Sequence, residues 1–206
     1  MKKFAVYFVA LIAVLGWICD PFGLRAEAKA PTAGSRQIEI YAQQFKWTIR
    51  YAGVDNLLGE SSYKLISEKN PLGVDSTDPN CYDDIIVTDT FFLPLGEEAE
   101  LNLRSRDVIH SAYLPHLRAQ MNVVPGMTTL LTIKPGKTTK EMRTEQKNPA
   151  FDYVLLCNKI CGAEHYKMKM KVVVSTREEF MKWLRRHETF IKVHPPQTEE
   201  DGTEQK

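Results

Sequence analysis

Tyr153-Val-Leu-Leu156-Cys157-Asn-Lys-Ile-Cys161-Gly-Ala-Glu-His165-Tyr-Lys-Met168-Lys-Met170-Lys-Val-Val-Val174 reads as strand, loop, strand. The flanks Tyr153 to Leu156 and Met170 to Val174 are short runs of strand type. Between them lies Cys-x3-Cys-x3-His-x2-Met, opening where the first strand gives out. Thiolate, thioether and imidazole form a soft-to-borderline donor set, which selects copper over magnesium or calcium. Zinc accepts two cysteines and a histidine, but its structural sites do not recruit methionine. A weak methionine ligand marks electron-transfer copper, whose mononuclear form uses one cysteine. The second sulfur therefore points to a second metal. Two core thiols or a disulfide are the competing readings of the pair; both leave His165 and Met168 without a use.

Such a site needs an imidazole from another strand. His110 closes an apolar Val108-Ile109 step in Arg104-Ser-Arg-Asp-Val-Ile-His110, where a strand is expected to hand over to a loop. His116, after Pro115, is expected in a loop or behind the ligands. His187 falls late in a terminal helix and His194 opens the tail, so both are poorly placed.

Working outward, Gln37 to Tyr41 and Lys46 to Tyr51 alternate polar and apolar residues. Asp84 to Thr88, Glu100 to Arg104 and Thr129 to Ile133 are further short runs, punctuated by Pro125-Gly126 and Pro135-Gly136. Thr176-Arg-Glu-Glu179 is a capping box, followed by Phe180, Trp183 and Leu184 at helical spacing, which predicts a terminal helix over 176–190. Many short strands separated by turns mean an all-β sandwich or barrel.

Around the domain, expected over 36–193, lie two extensions. Sixteen uncharged, mostly apolar residues from Phe4 to Cys19 follow Lys2 and Lys3. As a helix they cover ~24 Å, slightly short of a ~30 Å hydrocarbon core. Residues 1–27 are read as an uncleaved membrane anchor, with a secretory signal segment as the alternative; both place the domain outside the cytoplasm. Residues 28–35 are a small-residue linker, and the acidic tail 194–206 is expected to be disordered.

The 206 residues carry a net charge of +1, which removes an electrostatic case for nucleic-acid binding. Hydrophobic content of 43% and charged content of 26% exclude wholesale disorder, and four cysteines are too few for a disulfide scaffold. The charge is uneven. Asp75 to Glu100 holds eight acids and no lysine or arginine, whereas Arg104 to Lys171 holds twelve basic residues against five acidic ones. Blocks of one sign steer oppositely charged partners, although an acidic insertion over 54–84 also serves simply to stay soluble. Cys81, inside it, has no assigned role.

Gln44-Phe-Lys-Trp47, Ser105-Arg-Asp-Val-Ile-His110-Ser with Pro125-Gly126-Met127, and the Cys157 to Met168 loop together resemble subunit II of haem–copper cytochrome c oxidase, in its periplasmic CuA domain. The resemblance implies a cupredoxin-like Greek-key β-barrel. It implies a binuclear copper centre held by His110, Cys157, the Lys159 backbone carbonyl, Cys161, His165 and Met168. Lys159 replaces a common family glutamate, so no magnesium is assigned. Phe45 stands where the family receives electrons on a tryptophan, with Trp47 as the next aromatic position. The implied function is electron acceptance from a c-type cytochrome and transfer to haem in subunit I, where oxygen is reduced. The chain would then act within an oxidoreductase complex of the bacterial inner membrane, its copper domain on the periplasmic side. Since such cytochromes are often basic, Asp75, Asp78, Asp83 and Asp84 become a docking face. The alternative is a CuA domain of another reductase, or a free copper carrier. The family usually has two membrane helices, and this chain has room for one.

Overall fold

Alternating residues on the expected strands sort onto two faces, and pairing builds two five-stranded sheets in the computed structural model, which describes residues 34–195. The strands are β1 (Arg36–Gln43), β2 (Lys46–Tyr51), β3 (Ile85–Val87), β4 (Thr90–Pro94), β5 (Ala99–Ser105), β6 (His110–Leu114), β7 (Ala119–Val123), β8 (Thr129–Ile133), β9 (Tyr153–Cys157) and β10 (Lys169–Ser175). One sheet runs β3-β2-β1-β5-β8 and the other β4-β10-β9-β6-β7. β1 with β5 and β4 with β10 pair in parallel; the other ladders are antiparallel. The anchor or signal segment 1–27, most of the linker and the tail beyond Pro195 lie outside the described residues. Among the described residues no helix is long and apolar enough to cross a membrane.

Ile38, Ile40, Trp47, Ile49, Leu101 and Leu103 fill one side of the core, and Phe91, Leu93, Leu114, Leu155, Val172 and Val174 the other. The opposite face of the first sheet is buried as well. Glu39 pairs in register with Arg50 on β2 and Asn102 on β5, and is 1% exposed. Residues 52–84 cover that face, which corrects the picture of a purely solvated insertion. Leu72, Val74 and Cys81 join Tyr41 and Phe190 in a second apolar cluster. Arg50 binds Glu39 at 2.7 Å, Asp84 at 3.3 Å and the Gly59 carbonyl at 2.8 Å. Arg104 adds a bond to Glu39 and reaches Ser61 and the Leu72 carbonyl. Cys81 donates to the Asp75 carbonyl, and burial, reinforced by Asp84 and Asp78, pushes its thiol up to about 11.

Three expectations change. The capping box of Thr176 and Glu179 is formed, but its helix, α2 (Arg177–Leu184), stops short of residue 190. Phe180 and Leu184 are buried, whereas the next inward positions are the polar His187 and Glu188. The chain therefore turns, and α3 (Phe190–Val193) delivers Phe190 to the second cluster. A further helix, α1 (Thr139–Glu145), starts at a second capping box, Thr138 with Glu141. Finally, His110 opens strand β6 rather than closing one, because Val108 and Ile109 lie in an exposed turn.

Candidate metal centre

Neighbouring antiparallel strands bring the start of β6 to the end of β9. Ala112 pairs with Cys157, and the Asn158 amide donates to the Ser111 carbonyl at 2.9 Å. The Cys157 amide donates to the Met168 carbonyl at 3.1 Å, closing the base of the loop. A 3-10 turn, His165–Lys167, folds the loop back so that Met168 arrives just before β10.

This frame brings all six expected donors together. His110 Nδ1 lies 3.8 Å from Cys157 Sγ, which lies 3.9 Å from Cys161 Sγ, which lies 3.5 Å from His165 Nδ1. The Lys159 carbonyl is 3.2 Å from Cys157 Sγ, and Met168 Sδ is 3.8 Å from Cys161 Sγ. His110, Cys157 and Cys161 are buried and keep their donor atoms within 4.8 Å of one another. Met168 is buried too, while His165 is half-buried. Both cysteines are free, and their sulfurs stand well beyond the ~2.05 Å of a disulfide. Burial, then the neighbouring Cys157, pushes the Cys161 thiol up to about 11, so a metal must displace its proton. Buried sulfurs, two inward-facing imidazole nitrogens and a thioether fit soft metal ions.

Two positioning groups carry no sequence expectation. Asp107 Oδ1 lies 2.8 Å from His110 Nε2 and turns Nδ1 toward sulfur. Against partial burial, the Gln44 and Val108 amides and the His110 ring hold the Asp107 carboxyl below its ordinary value. Gln44 also donates through Nε2 to the Cys161 carbonyl at 2.5 Å. An acid three residues before the histidine and an amide beside Phe45 were the available signals, although neither spacing is diagnostic alone. Gly162 has φ +143°, and a Cβ there would meet Gln44 Nε2 at 2.8 Å and the Phe45 ring at 2.9 Å.

Of the aromatic pair, Phe45 is half-buried against the loop. Trp47 is 1% exposed, its ring centroid 6.1 Å from that of His110 in an edge arrangement. His116 sits away from the donors, edge-on to Phe151 and Tyr153. His187 faces the Trp183 carbonyl and His194 the Lys69 carbonyl. The expected docking acids have other partners. Asp75 accepts from Thr77, Asp78 from the Glu60 and Asn80 amides, and Asp83 from the Val54 and Asp55 amides. Asp84 is fully buried beside Arg50, which removes it from any surface face.

A two-sheet β-sandwich with a cysteine–histidine–methionine cluster between two strand ends defines a cupredoxin-like domain. The family model for cytochrome c oxidase subunit II, periplasmic domain, matches residues 37–176, and the chain belongs to that family. It is 38% identical over 159 residues to the alternative cytochrome c oxidase subunit 2 of Bradyrhizobium diazoefficiens, covering 77% of this chain and 53% of the relative. It is 33% identical over 105 residues to cytochrome c oxidase subunit 2 of Thermostichus vulcanus, covering 51% of this chain and 28% of the relative. The chain thus spans about half the length of the first and about a quarter of the second. The fold is also similar to a crystal structure of the mixed-disulfide intermediate between a thioredoxin-like protein and subunit II of cytochrome c oxidase. There the TM-score is 0.50 and the identity 16%, covering 77% of this chain and 94% of the other.

Proposed function

We propose that this domain is the electron-accepting part of a haem–copper cytochrome c oxidase. In this reading His110, Cys157, the Lys159 carbonyl, Cys161, His165 and Met168 hold a binuclear copper centre. A c-type cytochrome supplies electrons, and haem in subunit I takes them on to oxygen. The domain works on the periplasmic side of the bacterial inner membrane. When bound, such a copper pair accepts single electrons, with the charge shared over two metals and two sulfurs. The protein's part is to hold donors still and keep water out. Asp107 fixes the His110 ring, Gln44 fixes the Cys161 carbonyl, and the loop base is tied to β6 and to Met168. No general base or nucleophile is required, because no bond is made on this chain.

The observation that carries the reading is the continuous run Nδ1–Sγ–Sγ–Nδ1 at 3.8, 3.9 and 3.5 Å, with a carbonyl on one sulfur and a thioether on the other. Each sulfur has its own imidazole and its own weak donor, the arrangement two metal ions need. The experiment is electron paramagnetic resonance of the copper-loaded, oxidised chain, with metal analysis. An electron shared equally by two copper nuclei gives a seven-line hyperfine pattern. A four-line pattern with one ion per chain overturns the binuclear centre. Cys157→Ser and Cys161→Ser each abolish the paired signal.

A further inference from the structure

We infer that the metal end of this domain docks an acidic redox protein, through an apolar contact over the cysteine loop ringed by free cations; this rests on the electron-accepting role proposed above. Ile160 and Tyr166, on the loop itself, are 85% and 74% exposed. Val108, Ile109 and Met127, on adjoining loops, are exposed as well. Those loops are one surface: Ile109 precedes His110, Ser105 Oγ donates to the Val108 carbonyl, and Ser105 bridges Pro125. Five of the eleven large apolar side chains exposed among the described residues thus gather at one end. Such a patch marks an interaction site.

Its rim is basic. Lys46 follows Phe45, Arg106 precedes Asp107, Lys159 lies in the loop and Lys169 follows Met168. All four are exposed, and among the described residues none has a carboxylate partner. The facing acids are answered locally. Asp107 is bound to His110 and the Gln44 and Val108 amides, and Glu164 to Lys167 at 2.7 Å. Asp152 takes Lys171 and Arg143. Asp89 is the exposed acid of this flank, one residue before Thr90, which pairs with Lys171. Beside the patch, Tyr63 and Ile66 of the 52–84 segment face Met127 across a cleft of about 370 Å³. Arg104 and Arg106 line it and no carboxylate does. A partner with acids around an apolar redox edge matches this surface, the apolar centre supplying contact and the rim speeding encounter. Of the carboxylates expected to attract a basic partner, Asp84 is buried beside Arg50, and Asp75, Asp78 and Asp83 lie on the 52–84 segment rather than on the sulfur loop.

The test follows reduction of the copper-loaded, oxidised full chain by stopped flow, with an acidic and a basic c-type cytochrome as donors. Ionic strength rises from about 10 to about 300 mM, which shortens the screening length from ~30 Å to below ~8 Å. The expected result is a rate with the acidic donor that falls on the order of tenfold, while the basic donor starts slower and gains. Replacing Lys46, Arg106 and Lys169 together by glutamate reverses the order of the donors with the copper spectrum unchanged. A basic donor that is faster at low salt and slows with added salt overturns the inference. So does a flat profile with both donors, which assigns the patch to the oxidase's own subunits. Failure of the underlying role looks different: no paired-copper spectrum, or copper that even a small reductant leaves oxidised.

Discussion

His110 Nε2 lies 2.8 Å from Asp107 Oδ1, while the same ring's Nδ1 lies 3.8 Å from Cys157 Sγ. The carboxylate thus fixes the ring's orientation at one nitrogen and leaves the other for metal. Asp107→Ala is expected to lower copper affinity by about 10–100-fold, the usual effect of losing a hydrogen-bond partner behind a ligand. Competition titration against a chelator measures it. Unchanged affinity would show that core packing alone orients the ring.

Gly162 permits the loop to pass under Phe45. Its φ of +143° and the approach of Gln44 and Phe45 to within 3 Å of an added Cβ leave no room for a side chain. Gly162→Ala is expected to cost on the order of 1–3 kcal/mol through strain and crowding. Because the loop carries the sulfurs, it also broadens the copper spectrum. Thermal unfolding and spectroscopy of the same sample check both effects; an unaltered spectrum beside a lowered Tm would confine the damage to packing.

Arg50 serves two buried carboxylates, Glu39 and Asp84. Arg50→Ala strands Asp84 and leaves Glu39 to Arg104 alone, and is expected to cost about 3–5 kcal/mol. The pair also sets a pH dependence. Burial pushes the Asp84 carboxyl from 3.8 up to about 7, with Arg50 only partly opposing. The folded state therefore binds this proton more tightly than the unfolded chain does. The stability it contributes is complete at acid pH and declines as pH rises from about 4 to about 7. Asp84→Asn removes that slope. Tm measured across the interval for both proteins decides the matter: parallel curves would mean that Asp84 is ionised throughout in the fold.

The strands of the first sheet were legible because β1, β2 and β5 face the core on alternate residues, which leaves a period of two in the sequence. Their second face was not, since Glu39 and Arg50 read as solvent-facing charges until residues 52–84 close over them. Neither β6 nor β7 offered enough apolar contrast. Ser111 is fully buried, and on β7 Gln120 and Asn122 are exposed while Met121 between them is only partly buried. Helix α1 carried its capping box openly in Thr138 and Glu141, but no apolar stripe follows to draw attention to it. The donor set was the clearest of all, because five donor side chains and a loop must share one small volume and their order along the chain records it. Asp107 and Gln44 act through distances that no spacing encodes.

Phe45 and Trp47 stand two apart on the hairpin and its second strand, yet they offer a donor different things. Trp47 is sealed in the core beside His110, so no external protein touches it. Phe45 lies half-buried over Gly162, between the sulfur loop and the surface that carries Lys46. If electrons arrive through an aromatic ring, the reachable one is Phe45. Phe45→Leu is expected to slow reduction by a protein donor while leaving the copper spectrum and reduction by a small reductant intact. Trp47→Phe should do the converse, costing on the order of 1–3 kcal/mol of stability and leaving the protein-donor rate close to that of the unmodified chain. Stopped-flow rates paired with Tm values separate the two. A rate that follows Trp47 and ignores Phe45 would place the path inside the sandwich, with its exposed opening elsewhere on the loop.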